Sequence, residues 1–354
     1  MGTDFHHCFL SIISGQRRGL IAGTWRFVLR LGEIPYASLV QARNTLFAHG
    51  LFKSHRLARP VISVGNITTG GTGKTPVVRW LADQLRDMHP AILMRGYKSA
   101  GGMSDEARFL QEQLPSIPVI ANPDRRRAAA IALAKHHDVG LFILDDGFQH
   151  RQVARDFDLV LIDATSPFGY QHVLPRGLLR ESLTGLARAD AFLITRANQA
   201  ESAELQYIEK ILKQHNLKAP IYHADHALTE FCRGNETLTV ESLQGKPLFL
   251  FCGIGNPASL RDQLIGLGLT ITGQHFFADH HSYTTADLDR LLAEMSESHA
   301  SLLVTTEKDW TKIAPLNHPA KDLICRAGLT ISFHADDEQK LLERVRLSIS
   351  PPAR

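Results

Sequence analysis

The apolar, β-branched run Val61-Ile62-Ser63-Val64 leads through Gly65-Asn66 into Gly70-Gly71-Thr72-Gly73-Lys74-Thr75 and then into a helical repeat of Val77, Val78, Leu81 and Leu85. Strand, glycine loop, Lys-Thr and helix in that order are the signature of a phosphate-binding loop. Glycines let successive backbone N–H groups turn toward phosphate oxygens, the lysine reaches the β- and γ-phosphates, and the hydroxyl after it takes Mg²⁺. Pro76 falls in the helix's first turn, where a missing N–H costs nothing. Thr68 stands where the full G-x-x-x-x-G-K-[ST] pattern has glycine. The bland alternative is a glycine turn that happens to precede a lysine; the strand and helix on either side favour nucleotide. Thr69, Gly70, Gly71, Thr72, Gly73, Lys74 and Thr75 are therefore the expected nucleotide-binding residues, with Lys74 also catalytic.

Around this loop, apolar strand patterns alternate with helical ones: 90–97, 117–122, 141–146, 158–164 and 191–196 are separated by helical stretches such as 123–137 and 200–214. That alternation predicts a mainly parallel sheet covered by helices on both faces, with ligands at the carboxyl ends of the strands. Turn residues around Phe231–Glu236 suggest a hinge, and a second, smaller α/β unit begins at Pro247. The expected division is 1–58, 59–228 and 229–354. The Gly253-Ile254-Gly255 turn of the second unit is weak as a nucleotide signal.

A strand that ends in acid beside a phosphate loop supplies a magnesium carboxylate. Leu141-Phe142-Ile143-Leu144-Asp145-Asp146 has that shape, and so does Leu159-Val160-Leu161-Ile162-Asp163. The paired acids followed by Gly147-Phe148-Gln149-His150 are preferred, so Thr75, Asp146 and Asp145 form the expected metal set. Asp163 is the competitor.

Charge is distributed unevenly. The first 59 residues hold eight Lys or Arg against two acids, while the whole 354-residue chain is only +3. Basic stripes across a folded body, expected of a nucleic-acid binder, are missing. On a helical projection Leu20, Ile21, Trp25, Val28 and Leu31 share one side, with Arg18, Arg26 and Arg30 away from it. This is the pattern of a basic amphipathic helix lying in a membrane interface. A helix packing the same apolar side on the chain's own core fits equally well, whereas arginines interrupt any transmembrane run or signal peptide. The four cysteines have no metal or disulfide spacing, as in a reducing compartment.

In combination these pieces resemble the tetraacyldisaccharide 4′-kinase family, the lipid A kinases of Gram-negative bacteria. The resemblance rests on Val64-Gly65-Asn66 running into the loop, Arg95-Gly96-Tyr97, Asp105-Glu106, Asp124-Arg125 and Asp145-Asp146-Gly147-Phe148-Gln149-His150-Arg151. It continues through Leu174-Pro175 to Arg180-Glu181, Asp279-His280 and Thr305-Thr306-Glu307-Lys308-Asp309. Ser104, Arg176, Leu178, Ser182 and Tyr170-Gln171 depart from the family's usual residues. The resemblance implies ATP·Mg²⁺-dependent phosphorylation of the 4′-hydroxyl of a tetraacylated glucosamine disaccharide 1-phosphate. It also implies a monotopic enzyme at the cytoplasmic face of the inner membrane, which tips the N-terminal helix toward lipid, with neither nucleic acid nor an obligate protein partner. By the same resemblance Asp105 is the base that takes the acceptor's proton, and His280 pairs with it from the second unit as the units close. Arg125, His150, Arg180 and Glu181 are substrate-side residues. Two rivals remain: a phosphate-loop GTPase or switch protein, and a phosphate-loop kinase of a soluble metabolite. The first needs an Asn-Lys-x-Asp-type strand end, and Glu307-Lys308-Asp309 does not supply one.

Overall fold

The computed structural model describes residues 2–70, 72–96, 105–234, 236–255, 257–279 and 281–350. Two helices come first, α1 (Gly2–Ile13) and α2 (Leu20–Ala48). Then follow β1 (Val61–Asn66), α3 (Lys74–Gln84), β2 (Pro90–Met94), α4 (Asp105–Gln113), β3 (Val119–Ala121) and α5 (Arg125–Lys135). Next are β4 (Leu141–Asp145), β5 (Phe157–Asp163), β6 (Ala191–Thr195), α6 (Ser202–His215), β7 (Ile221–Arg233) and β8 (Glu236–Leu238). The chain closes with α7 (Val240–Leu243), β9 (Pro247–Cys252), α8 (Pro257–Gly266), β10 (Thr270–Phe276), α9 (Thr285–Glu297) and β11 (Leu302–Thr306). After these come α10 (Glu307–Ile313), β12 (Ile324–Phe333) and α11 (Asp337–Ile349).

Two compact units result. One comprises Met1–Tyr97, Leu114–Asp225 and Ile331–Arg354; the other comprises Lys98–Gln113 and His226–Thr330. This partition differs from the expected 59–228 and 229–354 in two ways. Residues 98–113 belong to the second unit, because α4 packs on α10. The last 24 residues belong to the first, where Trp80 Nε1 donates to Glu338 at 2.7 Å and Arg346 pairs with Asp87 at 2.7 Å. The turn-rich stretch at 231–236, expected as a hinge, is instead an antiparallel hairpin in which Phe231 faces Leu238 and Arg233 faces Glu236.

In the first unit the strands run in the order β7-β6-β5-β1-β4-β2-β3, all parallel. Every residue of β1, β4 and β5 is buried, as a sheet covered on both faces requires. Val61, Phe142 and Leu144 pack with the alanines of α5 in one cluster, and Val160, Ile162 and Phe192 with Ile208 and Leu212 of α6 in another. The second unit repeats the plan in four parallel strands, β10-β9-β11-β12. Leu248, Leu250 and Cys252 pack toward α8, while Phe249 and Phe251 pack toward α9.

α2 inverts the usual amphipathic arrangement. Its body-facing side carries Ala22, Glu33, Tyr36 and Asn44; its apolar side faces outward, with Leu20 92%, Ile21 79% and Leu39 71% exposed. A helix sealing the protein's own core would do the reverse. Among the described residues no helix is long and apolar enough to cross a membrane.

Candidate active site

β1 lies between β4 and β5, so the chain leaves its two sides in opposite directions and a crevice opens at its carboxyl end. The glycine loop fills that crevice. Gly73 adopts the left-handed conformation at φ 75°, which turns the chain into α3 so that Lys74 begins the helix. Gly65 lets the strand end approach its neighbour, because a Cβ there would lie 2.6 Å from both the amide nitrogen and Cβ of Phe148. No side chain caps the N-terminus of α3, which leaves its amides and positive dipole end facing the loop. Among the described residues Thr72 Oγ1 is buried without a hydrogen-bond partner, and the Thr72 carbonyl accepts from Thr195 Oγ1 at 3.1 Å. Gly71 lies outside the described residues, as do Tyr97, Ser104 and His280.

Opposite the loop, Asp146 sits at φ 55°, one residue past the end of β4. Both of its oxygens accept from Arg180 NH1, at 2.7 and 2.9 Å, and Lys74 Nζ stands 3.4 Å away. Lys74 Nζ also donates to Asn66 Oδ1 at 3.1 Å. Burial pushes the Asp146 carboxyl upward, but the charges of Lys74 and Arg180 outweigh it and hold the group below the ordinary carboxylate value. Asp146 is thus ionised, next to two cations.

Arg180 arrives from a distant loop. Its amide donates to the Ile67 carbonyl at 2.7 Å, and the Thr69 amide donates to the Leu178 carbonyl at 2.7 Å, so residues 67–69 and 178–180 are laced together. Asp145 is buried at the end of β4. Arg125, 2% exposed, donates to the Asp145 carbonyl at 3.3 Å and to the Asn122 carbonyl at 3.1 Å. Glu181 is 1% exposed and accepts from Gln149 Nε2, Arg188 and Asn44. Of the four expected substrate-side residues, Arg125 and Glu181 therefore face inward as braces, while Arg180 and His150 remain part-exposed. The His150 pKa is lowered to about 4, first by burial and then by the charges of Arg125 and Arg155, so the ring is neutral at pH 7. Its Nε2 is buried without a partner among the described residues.

The competing acid has partners of its own, as Asp146 does. Asp163 accepts from Arg196, and also from Thr165 Oγ1 at 2.7 Å and the Thr165 amide at 3.0 Å. Asp105 opens α4 in the second unit; its side chain, like His280, lies outside the described residues. Sequence reasoning missed Asn66 and Gln149 as site residues, although both stand inside the quoted motifs. Tyr36 and Asn44 were missed too, because the helical projection ended at Leu31.

The nucleotide and its metal are tested by the donors present. A glycine turn before an uncapped helix, an unpartnered buried threonine hydroxyl, and two cations sharing one carboxylate all suit a polyphosphate and a divalent ion.

Comparisons with known proteins agree. A family model described as tetraacyldisaccharide-1-P 4′-kinase matches residues 25–347. A tetraacyldisaccharide 4′-kinase of Desulfotalea psychrophila is 37% identical over 322 residues, 85% of this chain and 92% of that relative. One of Halothermothrix orenii is 33% identical over 336 residues, 86% and 87% of the two chains. Among solved structures, LpxK of Aquifex aeolicus in complex with ATP superposes with a TM-score of 0.74 at 27% identity, covering 92% of this chain and all of that one.

Proposed function

This chain belongs to the tetraacyldisaccharide 4′-kinase family, and from that premise we propose how its residues divide the work. The reaction is ATP-dependent transfer of the γ-phosphate to the 4′-hydroxyl of a tetraacyl disaccharide 1-phosphate, a step of lipid A biosynthesis. The observation that carries the assignment of roles is the convergence of Lys74 and Arg180 on Asp146 at the mouth of the glycine loop.

Phosphoryl transfer asks a protein mainly for positioning and charge neutralisation. ATP·Mg²⁺ supplies the phosphoryl group and offsets the charge on its oxygens. Thr75 and Asp146, with Asp145 in support, would hold the metal, while the amides of 69–75 and Lys74 would grip the phosphates. Arg180, whose NH1 holds Asp146 at 2.7 Å, would be the guanidinium that answers phosphate oxygens. Arg125 braces the Asp145–Asp146 turn from behind. The neutral ring of His150 serves as a hydrogen-bonding group toward the sugar, not as a cation. Asp105 accepts the acceptor's proton with His280 as its partner; support comes from the family resemblance and from the place of Asp105 as first residue of α4. That helix is fixed on α10, with Gln113 Nε2 donating to Glu307 Oε1 at 2.8 Å.

For the membrane, the support is the outward row Leu20, Ile21, Trp25, Val28, Leu31 and Leu39 on a helix whose polar side already has protein partners. Burying each such side chain in lipid gains about 1.5–3 kcal/mol. The enzyme is read as peripheral at the cytoplasmic face of the inner membrane, where its lipid acceptor lies.

The GTPase reading loses its last foothold at Asp309. That residue is fully buried and its carboxylate accepts from Thr306 Oγ1 at 2.7 Å and the Gly253 amide at 3.1 Å, so it does not await a guanine. The test is phosphorylation of the tetraacyl disaccharide 1-phosphate in detergent micelles, with ATP and with GTP. Transfer from ATP is expected; equal use of GTP, or no labelled disaccharide, would overturn the reading.

A further inference from the structure

The polar side of α2 poses a question that lipid contact does not answer. A helix needed only as an anchor could rest on the protein through small apolar residues, yet its inner side makes directed hydrogen bonds to one loop. Glu33 Oε1 accepts from the Val173 amide at 3.1 Å and lies 3.1 Å from His172 Nδ1. One turn on, Tyr36 donates its hydroxyl to the Arg180 carbonyl at 2.9 Å. Two turns further, Asn44 Nδ2 donates to Glu181 Oε2 at 2.9 Å. The spacing 33, 36 and 44 keeps all three on one side of the helix.

From these contacts two paths of hydrogen bonds and ion pairs run inward, and both end on Lys74. The first passes from Tyr36 to Arg180, from Arg180 NH1 to Asp146, and from Asp146 to Lys74. The second passes from Asn44 to Glu181, which also accepts from Gln149 Nε2 at 3.0 Å. Gln149 Nε2 donates to the Asn66 carbonyl at 2.8 Å, and Asn66 Oδ1 accepts from Lys74 at 3.1 Å. Glu181 is the rigid joint, 1% exposed, with its other partner Arg188 lying over the Phe148 ring at 4.4 Å. Burial raises the Tyr36 pKa, so the phenol stays a proton donor across the working range.

We propose that α2 is a splint for the phosphate site as well as a membrane-facing element, and that Tyr36 and Asn44 are positioning residues for phosphoryl transfer, acting through Arg180 and Glu181. The proposal rests on the kinase reading above. It assigns the two sides of one helix separate duties: the outer side meets lipid, and the inner side sets the geometry of Arg180, Asp146 and Lys74. Seating the helix on a bilayer then steadies the site from which the phosphoryl group leaves.

The test uses the full chain with ATP and the tetraacyl disaccharide 1-phosphate in mixed vesicles of phosphatidylethanolamine and phosphatidylglycerol. Tyr36→Phe keeps the ring and removes only the donor; Asn44→Leu removes the amide. Each is expected to lower kcat about five- to tenfold, the value of one hydrogen bond, while acceptor KM and vesicle flotation stay at the wild-type level. In an Arg180→Ala background, Tyr36→Phe is expected to have no further effect, which a general loss of folding would not reproduce. Asn44→Gln, which restores a donor, should recover part of the rate. Wild-type kcat in both single variants would overturn the proposal, and so would a loss seen only as raised KM with lost flotation. Failure of the wild-type chain to phosphorylate the disaccharide would instead indict the kinase reading itself.

Discussion

Each unit of this protein runs a buried parallel strand into a glycine turn and then a helix, β1 into α3 and β9 into α8. Only the first of these turns is furnished for phosphate. At the end of β1, Lys74 and Arg180 share the single carboxylate of Asp146, a local excess of positive charge that a polyphosphate cancels. At the end of β9 the Gly253 amide already donates to Asp309, which is fully buried and also accepts from Thr306. Burial, and then the charge of Asp309, push the Tyr283 phenol well above its ordinary range, so it stays protonated beside that carboxylate. The difference is not the fold. It is whether the donors at the strand end are still available once the protein has folded.

That contrast is broken most sharply by exchanging the fates of Lys74 and Asp309. Lys74→Ala is expected to lower kcat/KM about 10²–10³-fold with the unfolding midpoint unmoved. Asp309→Ala, which strands the Gly253 amide and the Thr306 hydroxyl, should cost about 1–3 kcal/mol in a urea titration and leave MgATP affinity intact. Equal losses of activity in the two variants would erase the distinction. Gly65→Ala tests the close approach that lets the first turn form. Its Cβ meets Phe148 at 2.6 Å, and about 1–3 kcal/mol of stability should be lost along with nucleotide affinity.

A gentler probe is pH. His150 titrates at about 4 in the folded chain against 6.5 ordinarily, so between those values the unfolded chain binds the extra proton and stability falls as pH drops. His150→Gln should flatten that part of the stability curve. A slope unchanged by the substitution would mean that the ring is not held neutral. The smallest effect is expected at the outer side of α2. Trp25→Glu should reduce vesicle flotation while MgATP binding by the first unit stays unchanged.

Much of this was legible in the sequence because the loop is a local code. Gly73-Lys74-Thr75 after a β-branched run can be read without knowing what lies opposite, and alternating strand and helix patterns foretold the parallel sheet. The preference for Asp146 over Asp163 rested on the paired acids; the sequence did not show which cation reaches each, Arg180 reaching Asp146 across 34 positions of chain and Arg196 reaching Asp163 across 33. Long-range closure also hid the exchange of residues 98–113 and 331–354 between the units. Arg125 and Glu181 were expected on the substrate side from the motifs they stand in; their burial, at 2% and 1% exposure, was not legible there. On α2, the helical reading ended at Leu31 and so found the side that faces outward but not Glu33, Tyr36 and Asn44, whose partners lie in a loop some 140 residues away.

Magnesium-dependent ATP binding to the wild-type chain, Asp146→Asn and Asp163→Asn, followed by calorimetric titration, is the most direct examination of where the phosphate site lies. The account predicts that Mg²⁺ tightens ATP binding in the wild type and in Asp163→Asn but not in Asp146→Asn. Retention of the magnesium effect in Asp146→Asn, with its loss in Asp163→Asn, would contradict it.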